Sequence, residues 1–598
     1  MFMRSTTRKK NGKPHRYYSV VENRRLGDGS VSQRQLLYLG EINDSQEAAW
    51  RKSLAVFDEQ RQRPETLSLF PEDQVLPADA VNAVQVKLDQ IELRRPRAFG
   101  DCWLACEIWR QLQLDEFWNQ KIGSDRGAVS WTKVVQLLAV NRLIDPGSEF
   151  RLHRQWFDRS AMDVLLDTDF AVAGKDRLYR CLDRLVTHKD DLFKHLKRRW
   201  EDLFNVTFDV LLYDLTSTYF EGQCELIPKA KHGYSRDGRP DCKQVVVALV
   251  VTPDGLPLAY EIMPGNTSDK TTLKDFLKLI EERYGKARRT WVMDRGIPTE
   301  EVLKEMRGNN VQYLVGTPKG KLTQLEKSFL PLPWKNVHDG LQVKLLEESG
   351  EVLVLAKSVA RASKEIAMRR RKLKKLFNGL LKLRRQAPDR DKLLEKLGAL
   401  KHEAGRAAGL VELTIPAAKA QATNVTFKWK LRTDKFKSAE HRDGKYILRT
   451  NLSGEAPEVL WKKYIQLTEV EAAFKCLKSD LAMRPIHHQL EHRVEAHIFV
   501  AFLGYCLTVT LRKRLEVHAP GLTPRAVLEK LATIQMIEVW LPTTDGRWLI
   551  MPRYTQPEKE QQLILGKLNL KLPEQPPPRI RAQAPETPRR KKRFVVET

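Results

Sequence analysis

Three chemically distinct side chains near the C-terminal end of the chain recur at intervals of seven residues. They are Tyr464, Glu471 and Lys478, in the stretch YIQLTEVEAAFKCLK. Because seven residues make nearly two turns of an α-helix, this spacing predicts that all three share one helical stripe. A carboxylate flanked by a phenol and an ammonium suits a metal ion bound beside phosphates, with the carboxylate on the metal and the other two on phosphate oxygens. The same pattern is also typical of an ordinary solvated helix face.

Two aspartates far upstream strengthen the interpretation as a metal site. Asp214 follows the apolar run Val210–Tyr213, and Asp294 follows Trp291–Met293, so each is predicted to lie at the end of a buried strand. Each alone could be a turn former or a helix cap. Together with Glu471 they would form a cluster of negative charge that is costly unless it binds cations. Paired divalent ions about 3.5–4 Å apart are the usual solution in phosphoryl transfer.

The segments around the two aspartates predict a mixed sheet. KQVVVALVVT and LPLAYEIMPG are strand-like runs joined by the turn at 252–255, which makes a three-stranded meander with the Asp214 strand. A helix follows, Asp294 ends the fourth strand, a short helix reaches about Arg307, and VQYLVGT supplies the fifth strand. The predicted order β-β-β-α-β-α-β matches the ribonuclease-H-like fold of polynucleotidyl transferases.

These motifs resemble the DDE transposases of bacterial insertion sequences, in the branch that carries a YREK signature. That signature is Tyr, two residues, Arg, three residues, Glu, six residues, Lys. The positions of this chain at the same intervals are Tyr464, Leu467, Glu471 and Lys478. Leu467 therefore stands where the family has Arg, and it cannot donate to a phosphate; Lys463 and Lys475 are candidate substitutes. The resemblance covers about residues 10 to 515, and the layout is closest to the long forms of these transposases.

The resemblance implies transposition of an insertion sequence by metal-dependent 3′-end cleavage and strand transfer. It implies that Asp214, Asp294 and Glu471 are the catalytic residues and hold two Mg²⁺ ions, for which Mn²⁺ can substitute. Tyr464, Lys478 and Arg484 are expected to bind DNA phosphates, with no covalent protein–DNA intermediate. The expected partners are terminal inverted repeats and target sites in double-stranded DNA, and a second copy of the chain in a synaptic homodimer.

Two other classes of protein remain open. One is a nuclease with the same fold and ions, which would cut DNA without joining the freed end to a target. The other is a DNA-binding remnant, such as a repressor, that kept the fold and lost catalysis. Related insertions position flanking DNA, so Trp334 or Trp429 is a candidate for stacking a flipped base, although a tryptophan in a β-rich domain is more often part of a core.

The charge of the chain fits a DNA partner, because 103 Lys and Arg against 76 Asp and Glu leave a net charge of +27. Residues 357–406 contain 17 basic and 5 acidic residues, with leucines at helical spacing on both sides of Pro388 and Asp389. This pattern predicts a helical hairpin. The hairpin could bind DNA directly, or it could be a solvated pair that serves as a strut or a dimer contact.

The predicted fold class is α/β, with a ribonuclease-H-like core interrupted by a β-rich insertion and preceded by a small β-hairpin region and a helical domain. A break at 145–147 makes part of that helical domain resemble a helix-turn-helix motif, which is also common in all-helical domains. The expected domains are 1–62 (basic β-hairpin region), 63–99 (linker), 100–204 (helical, DNA-binding), 205–318 (core, first part), 319–452 (insertion), 453–515 (core, second part), 516–572 (C-terminal region) and 573–598 (basic disordered tail).

Nothing in the sequence predicts export or membrane insertion. The N-terminal stretch is basic and lacks the apolar core of a signal peptide, and the longest apolar run, IFVAFLGYCLTVTL, is too short to span a bilayer. The seven cysteines form no CxxC pair, which agrees with a reducing compartment. The expected location is the cytoplasm, in association with the nucleoid.

Overall fold

The computed structural model describes a mixed α/β chain that divides into two compact units. The described residues are 2–10, 12–25, 31–42, 46–47, 53–58, 61–71, 83–122, 129–268, 272–285, 289–317, 325, 328–329, 331–348, 350–417 and 420–582. One unit consists of residues 1–181 and 510–598, and the other of residues 182–509. Residues 26–30, within the predicted basic β-hairpin region, and the basic tail from 583 onward lie outside the described residues.

Strands and helices occur in groups along the chain. The strands are β1 (Phe2–Lys10), β2 (Lys13–Arg25), β3 (Val31–Glu41), β4 (Ser53–Asp58), β5 (Arg63–Pro71), β6 (Ala83–Val86), β7 (Glu92–Ala98), β8 (Val210–Tyr219), β9 (Gln244–Val251), β10 (Pro257–Pro264), β11 (Thr290–Met293), β12 (Gln312–Gly316), β13 (Lys335–His338), β14 (Leu341–Glu348), β15 (Glu351–Ser358), β16 (Val411–Thr414), β17 (Lys428–Leu431), β18 (Lys445–Thr450), β19 (Gln535–Pro542), β20 (Trp548–Tyr554) and β21 (Arg579–Arg581). The α-helices are α1 (Gly100–Gln111), α2 (Leu114–Ile122), α3 (Trp131–Ile144), α4 (Glu149–Arg151), α5 (Phe157–Arg159), α6 (Met162–Leu165), α7 (Lys175–Leu185), α8 (Lys189–Phe204), α9 (Leu273–Tyr284), α10 (Glu300–Gly308), α11 (Val359–Gln386), α12 (Arg390–Ala404), α13 (Thr433–His441), α14 (Pro457–Ile465), α15 (Leu467–Lys475), α16 (Glu491–His518), α17 (Pro524–Leu531) and α18 (Lys559–Lys567).

In the unit formed by residues 182–509, the elements β8, β9, β10, α9, β11, α10 and β12 follow one another in the chain order predicted from the sequence. Within the sheet, β9 lies antiparallel to β8, whereas β11 pairs in parallel with both β8 and β12. Every residue of β9 and β11 is buried, which explains why these strands read as unbroken apolar runs. Helices α9 and α10 contribute Phe276, Ile280 and Leu303 to the same core as Trp291.

The insertion predicted at 319–452 is only partly a separate body. Its strands extend the sheet in the order β12-β18-β15-β14-β13, and every one of these pairs is antiparallel. Helices α11 and α12 form the predicted hairpin and enclose their own hydrophobic core with β16 and β17. The boundary expected at 319 therefore falls within the chain segment that forms one continuous sheet. The sequence did not indicate this, because local patterns do not show which distant strands pair.

The unit formed by residues 1–181 and 510–598 contains two further sheets. One is the antiparallel sheet β1-β2-β3, in which β2 and β3 are the arms of the predicted hairpin. The other has the order β6-β5-β4-β21-β20-β19-β7. The interpretation of 63–99 as a linker is wrong, because β5, β6 and β7 lie in it. The tail expected from 573 onward is also partly ordered, since β21 pairs with β20 and β4.

The helical region predicted at 100–204 does not form a single domain. The boundary between the two units falls at 181/182, within this region. Helices α1 and α3 are buried over most of their surface, so they belong to a core. The break at 145–147 is present between α3 and α4, but groove reading by the second helix stays a prediction.

Helix α16 is long and apolar enough to cross a membrane, with a mean hydropathy of 1.7 over its most apolar window. The helix extends beyond the apolar run recognised in the sequence. However, 89% of that window is buried inside the protein, which is the behaviour of a core helix. Within residues 182–509 it contributes Phe502, whose ring contacts Phe193 and Tyr260.

Candidate active site

The two aspartates lie side by side because their strands are parallel neighbours. Strand register pairs Tyr213 of β8 with Met293 of β11, so Asp214 and Asp294 are the next residues on adjacent strands. Asp294 directly follows the last residue of β11, as predicted. Asp214 does not end its strand, because β8 continues to Tyr219 and Asp214 pairs with Leu249 of β9. The apolar run that ends in Asp214 thus marks a half-buried position inside β8 and not the end of the strand, since residues 215–218 are buried again.

The surroundings of Asp214 indicate that the three carboxylates form one charge cluster. Burial raises the pKa of Asp214 to about 7, and the nearby charges of Asp294 and Glu471 act in the same direction. The backbone N–H of Leu215 donates to the Asp214 carboxylate at 2.8 Å, and this bond, together with the charge of Arg236, opposes the rise in pKa. A bound cation would therefore stabilise the charged form of the Asp214 carboxylate.

Glu471 reaches the cluster from helix α15, which packs against β8 and β9. It is exposed, as is Asp294, whereas Asp214 is half-buried. The three side chains border one cleft with a volume of about 280 Å³. The other residues that line this cleft are Arg295, Gly316, Thr317, Arg361, Tyr446, Ile447, Tyr464, Ile465, Leu467, Thr468 and Val470. Three carboxylates provide only oxygen ligands, which fit a hard divalent cation such as Mg²⁺ better than a zinc ion.

Tyr464 lies in the same cleft, at the end of helix α14. Burial, followed by the charge of Asp294, raises the pKa of its phenol above the usual value. The phenol oxygen passes close to the backbone of Gly316 at the end of β12, where a Cβ atom would lie 2.6 Å from it. Glycine is therefore needed at this close approach, and Tyr464 is a neutral hydrogen-bond donor at ordinary pH.

Lys478 and Arg484 do not line the cleft of the three carboxylates. The stripe predicted from the seven-residue spacing is interrupted, because Lys478 lies in a π-helical segment, Cys476–Asp480, after α15. The Lys478 ammonium is buried and donates to Asp237 at 2.8 Å, and Arg484 donates to the same oxygen. Burial lowers the pKa of Lys478, although the bond to Asp237 opposes this.

The ion pairs of Lys478 and Arg484 with Asp237 have a structural consequence near the three carboxylates. Asp237 belongs to the connection between β8 and β9, and its neighbour Arg236 donates its backbone N–H to Ser217 of β8 at 3.2 Å. Arg236 is also the cation that lowers the pKa of Asp214. Lys478 and Arg484 thus hold the loop that brings Arg236 beside the cluster, a role that the sequence motif did not indicate.

The basic residues that line the cleft are not the two lysines expected to compensate for the missing arginine at position 467. Leu467 lines the cleft, but Lys463 is engaged with Glu455 at 2.9 Å, and neither Lys463 nor Lys475 lines it. Arg295 and Arg361 are the two lysine or arginine residues among the described cleft-lining residues. Arg295 follows Asp294 and was open to detection in the sequence, whereas no sequence signal pointed to Arg361, which comes from the insertion.

Neither tryptophan considered for base stacking lines the cleft. Trp334 packs against the cluster around Phe329, with the Lys344 ammonium over its ring at 4.8 Å. Trp429 packs in the core of the helical hairpin. A larger cavity of about 1010 Å³ lies beside α9 and α10, but none of the three carboxylates lines it, so its size does not make it the site of chemistry.

Two family models match the chain. The model described as a transposase DDE domain matches residues 207–507, just over half of the chain, and the model described as the IS1634 family transposase N-terminal domain matches residues 3–66. A comparison with curated proteins found no match. Among solved structures, the chain is similar to the piggyBac transposase synaptic complex with hairpin DNA, at 9% identity, with 74% of this chain and 82% of that chain covered and a TM-score of 0.34. A likeness this low adds nothing to the family matches.

Proposed function

Because the chain belongs to the DDE transposases of bacterial insertion sequences and is therefore a metal-dependent enzyme acting on DNA, we propose that Asp214, Asp294 and Glu471 are its catalytic carboxylates. The observation that carries this assignment is that the charges of Asp294 and Glu471 raise the pKa of Asp214 in a cleft that all three side chains line. Strand β8, the residue directly after β11 and helix α15 supply them, so adjacent regular elements fix their spacing.

We assign a ribonuclease-H-like topology to the strands that hold these residues. The sheet order β10-β9-β8-β11-β12, with only β9 antiparallel to its neighbours β8 and β10 in this set, supports the assignment. The strands β18, β15, β14 and β13 then continue the same sheet into the insertion. The YREK branch is part of the same proposal, with Leu467 as its departure from the signature.

The proposed cofactor is a pair of Mg²⁺ ions, for which Mn²⁺ can substitute. Such ions supply Lewis acidity toward the attacking and departing oxygens of a phosphodiester. The chain's own residues hold and orient the reactants: the three carboxylates provide the oxygen ligands, and Arg236 offsets part of their charge. Tyr464 keeps its proton and donates to a phosphate oxygen, which makes it a poor nucleophile. No covalent link between protein and DNA is expected.

The basic face of the helical hairpin is the proposed contact with duplex DNA. The leucines of α11 are Leu373, Leu376, Leu380 and Leu383, and all are buried in the hairpin's own core, which leaves this stripe unavailable as a dimer contact. The opposite face carries the exposed residues Lys364, Arg371, Lys374, Lys382 and Arg385. Within the described part of the chain, these five side chains have no ion-pair partner. They extend over about 32 Å of helix, close to one turn of DNA.

The biological substrates proposed are the terminal inverted repeats of the element and a target site, joined within a synaptic homodimer. A basic chain that acts on chromosomal DNA is expected in the bacterial cytoplasm, associated with the nucleoid. Tyr464 is expected to touch a phosphate at the cleaved end. Lys478 and Arg484 are expected to act on DNA indirectly, through the loop that carries Arg236.

The experiment that tests the proposal compares the purified wild-type chain with Glu471→Gln on labelled DNA that carries the repeats flanking its reading frame. Cleaved ends joined to target DNA are expected in Mg²⁺ with the wild type and not with the variant. Glu469→Gln, two residues away on the same helix, is the matched control and should remain active. Cleavage without joining would favour the nuclease, and binding without any cleavage would favour the DNA-binding remnant.

A further inference from the structure

We propose that Arg361, which the insertion contributes to the carboxylate cleft, binds the phosphate of the DNA bond that is cut. The proposal rests on the catalytic site proposed above and adds a residue to it. A phosphodiester held beside acidic side chains needs positive charge on its remaining oxygens. Arg361 lines the cleft together with Asp214, Asp294 and Glu471, although it lies more than 60 residues from each of them in sequence.

The first turns of helix α11 are locked in place along one face. Arg361, Glu365 and Arg369 follow at intervals of four residues, so they face the same side of the helix. Glu365 accepts from the backbone N–H of Gly444 at 3.1 Å, and Arg369 donates to Asp443 at 2.7 Å. These contacts dock the start of α11 against the beginning of β18.

Gly444 makes this docking possible. Its φ of +73° favours glycine, and a Cβ atom there would lie 2.3 Å from the carbonyl oxygen of Ser358 and 2.8 Å from the Cβ of Ala362. Ser358 is also the N-cap of α11, because its side chain accepts from the backbone N–H of Arg361. The backbone at Arg361 is therefore held by a tight turn, a cap and two side-chain contacts.

The guanidinium of Arg361 is oriented by an aromatic ladder. It lies over the ring of Tyr446 at 4.4 Å, and the Tyr446 ring is 6.3 Å from that of Tyr464. Trp461 donates its indole N–H to the Tyr446 oxygen at 2.6 Å and fixes the ring. The ladder leads from the insertion to Tyr464, and Arg361, Tyr446 and Tyr464 all line the cleft that the carboxylates border.

Donors of Arg361 remain available for a ligand. Its Nε atom donates to Glu365 at 3.3 Å, and within the described residues its two Nη groups form no hydrogen bond. Those groups can bind two phosphate oxygens side by side. The other cation of the cleft, Arg295, is exposed and has no such support from the described residues. Leu467, in the same cleft, offers no donor, so Arg361 supplies the charge that this position lacks.

The test compares Arg361→Gln and Arg361→Lys with wild type in single-turnover cleavage of DNA carrying the flanking repeats, in Mg²⁺. Losing a charge-assisted pair to the reacting phosphate should slow cleavage about 10- to 100-fold for Gln, and Lys should restore only part of the rate. Arg370→Gln, an exposed change on the same helix, is the matched control and should cleave at the wild-type rate. The double variant Arg361→Gln/Leu467→Arg should regain activity.

A second substrate separates phosphate binding from a structural role. With an uncharged methylphosphonate at the cut bond, the ratio of the wild-type rate to the Arg361→Gln rate should fall toward one for at least one stereoisomer. An unchanged ratio for both isomers, or a variant as fast as wild type on normal DNA, would overturn the assignment while leaving the proposed function intact. A wild-type chain that never cleaves would overturn the proposed function itself and this inference with it.

Discussion

Replacing Asp214 by Asn should stabilise the metal-free protein while abolishing DNA cleavage. The wild-type carboxylate is partly buried beside two other acidic groups, which raises its pKa to about 7 from the usual 3.8. The folded state therefore disfavours the charged form relative to the unfolded chain. Asparagine has nearly the same shape as aspartate, and its side-chain oxygen can still accept the hydrogen bond from the N–H of Leu215, but it carries no charge.

The sign and size of the effect follow from the pKa. A raised carboxyl pKa contributes full stability below the unfolded value of 3.8 and loses it progressively as pH rises through about 7. At 1.36 kcal/mol per pH unit, the wild type is weakened by about 1.6 kcal/mol at pH 5 and by about 4 kcal/mol at pH 8, relative to a neutral side chain. Because water reaches the half-buried side chain and screens its charge, these two free energies are upper limits.

Urea unfolding in EDTA at pH 5 and pH 8, followed by circular dichroism, measures the effect. The advantage of Asp214→Asn over wild type should be larger at pH 8 than at pH 5, and Mg²⁺ at pH 8 should stabilise the wild type more than the variant. Asp209→Asn, an exposed change just before β8, is the control and should show neither trend. A variant no more stable than wild type at pH 8, or a gap that does not depend on pH, would refute the reasoning.

Three further changes have defined outcomes. Gly316→Ala should slow cleavage by displacing the Tyr464 phenol, and combining it with Tyr464→Phe should cost nothing more than Tyr464→Phe alone in a single-turnover assay. Asp237→Asn should destabilise the protein by about 3 kcal/mol in urea unfolding, because the ammonium of Lys478 is then buried without a counter-charge; adding Lys478→Met should recover most of that stability. Changing the basic face of α11 to Gln should weaken DNA binding and reduce the slope of log affinity against log salt by about 0.9 for each phosphate that the helix no longer neutralises, in a fluorescence titration; an unchanged slope would place DNA elsewhere. The substituted residues are Lys364, Arg371, Lys374, Lys382 and Arg385.

The part of the site that is local in sequence could be predicted. Apolar runs that end in Asp214 and Asp294 reveal buried strands. Glu471 follows from its helix and its spacing to Tyr464, and both border the cleft. The helical hairpin was predictable for the same reason, since its leucines repeat at helical intervals on either side of Pro388.

Features that depend on distant pairing or on an irregular turn could not be predicted. Lys478 was expected on the stripe of Glu471 because seven-residue spacing assumes a continuous α-helix, and a π-helical segment changes the direction in which it points. Arg361 reaches the cleft only because β18 pairs with β12 more than a hundred residues away, which aligns Leu314 with Thr450. The Pro-containing segment 63–99 joins a sheet whose partner strands lie near the other end of the chain.

The continuity of the sheet also determines where the chain tolerates cutting and grafting. Removing 319–452 as a module would strip β18 from β12 and expose a row of unpaired backbone groups at an apolar edge, which favours aggregation. Shortening α11 and α12 from their shared tip near Pro388 leaves every strand of the sheet paired. The end of the hairpin is therefore a suitable point at which to tether a second DNA-binding module to this enzyme.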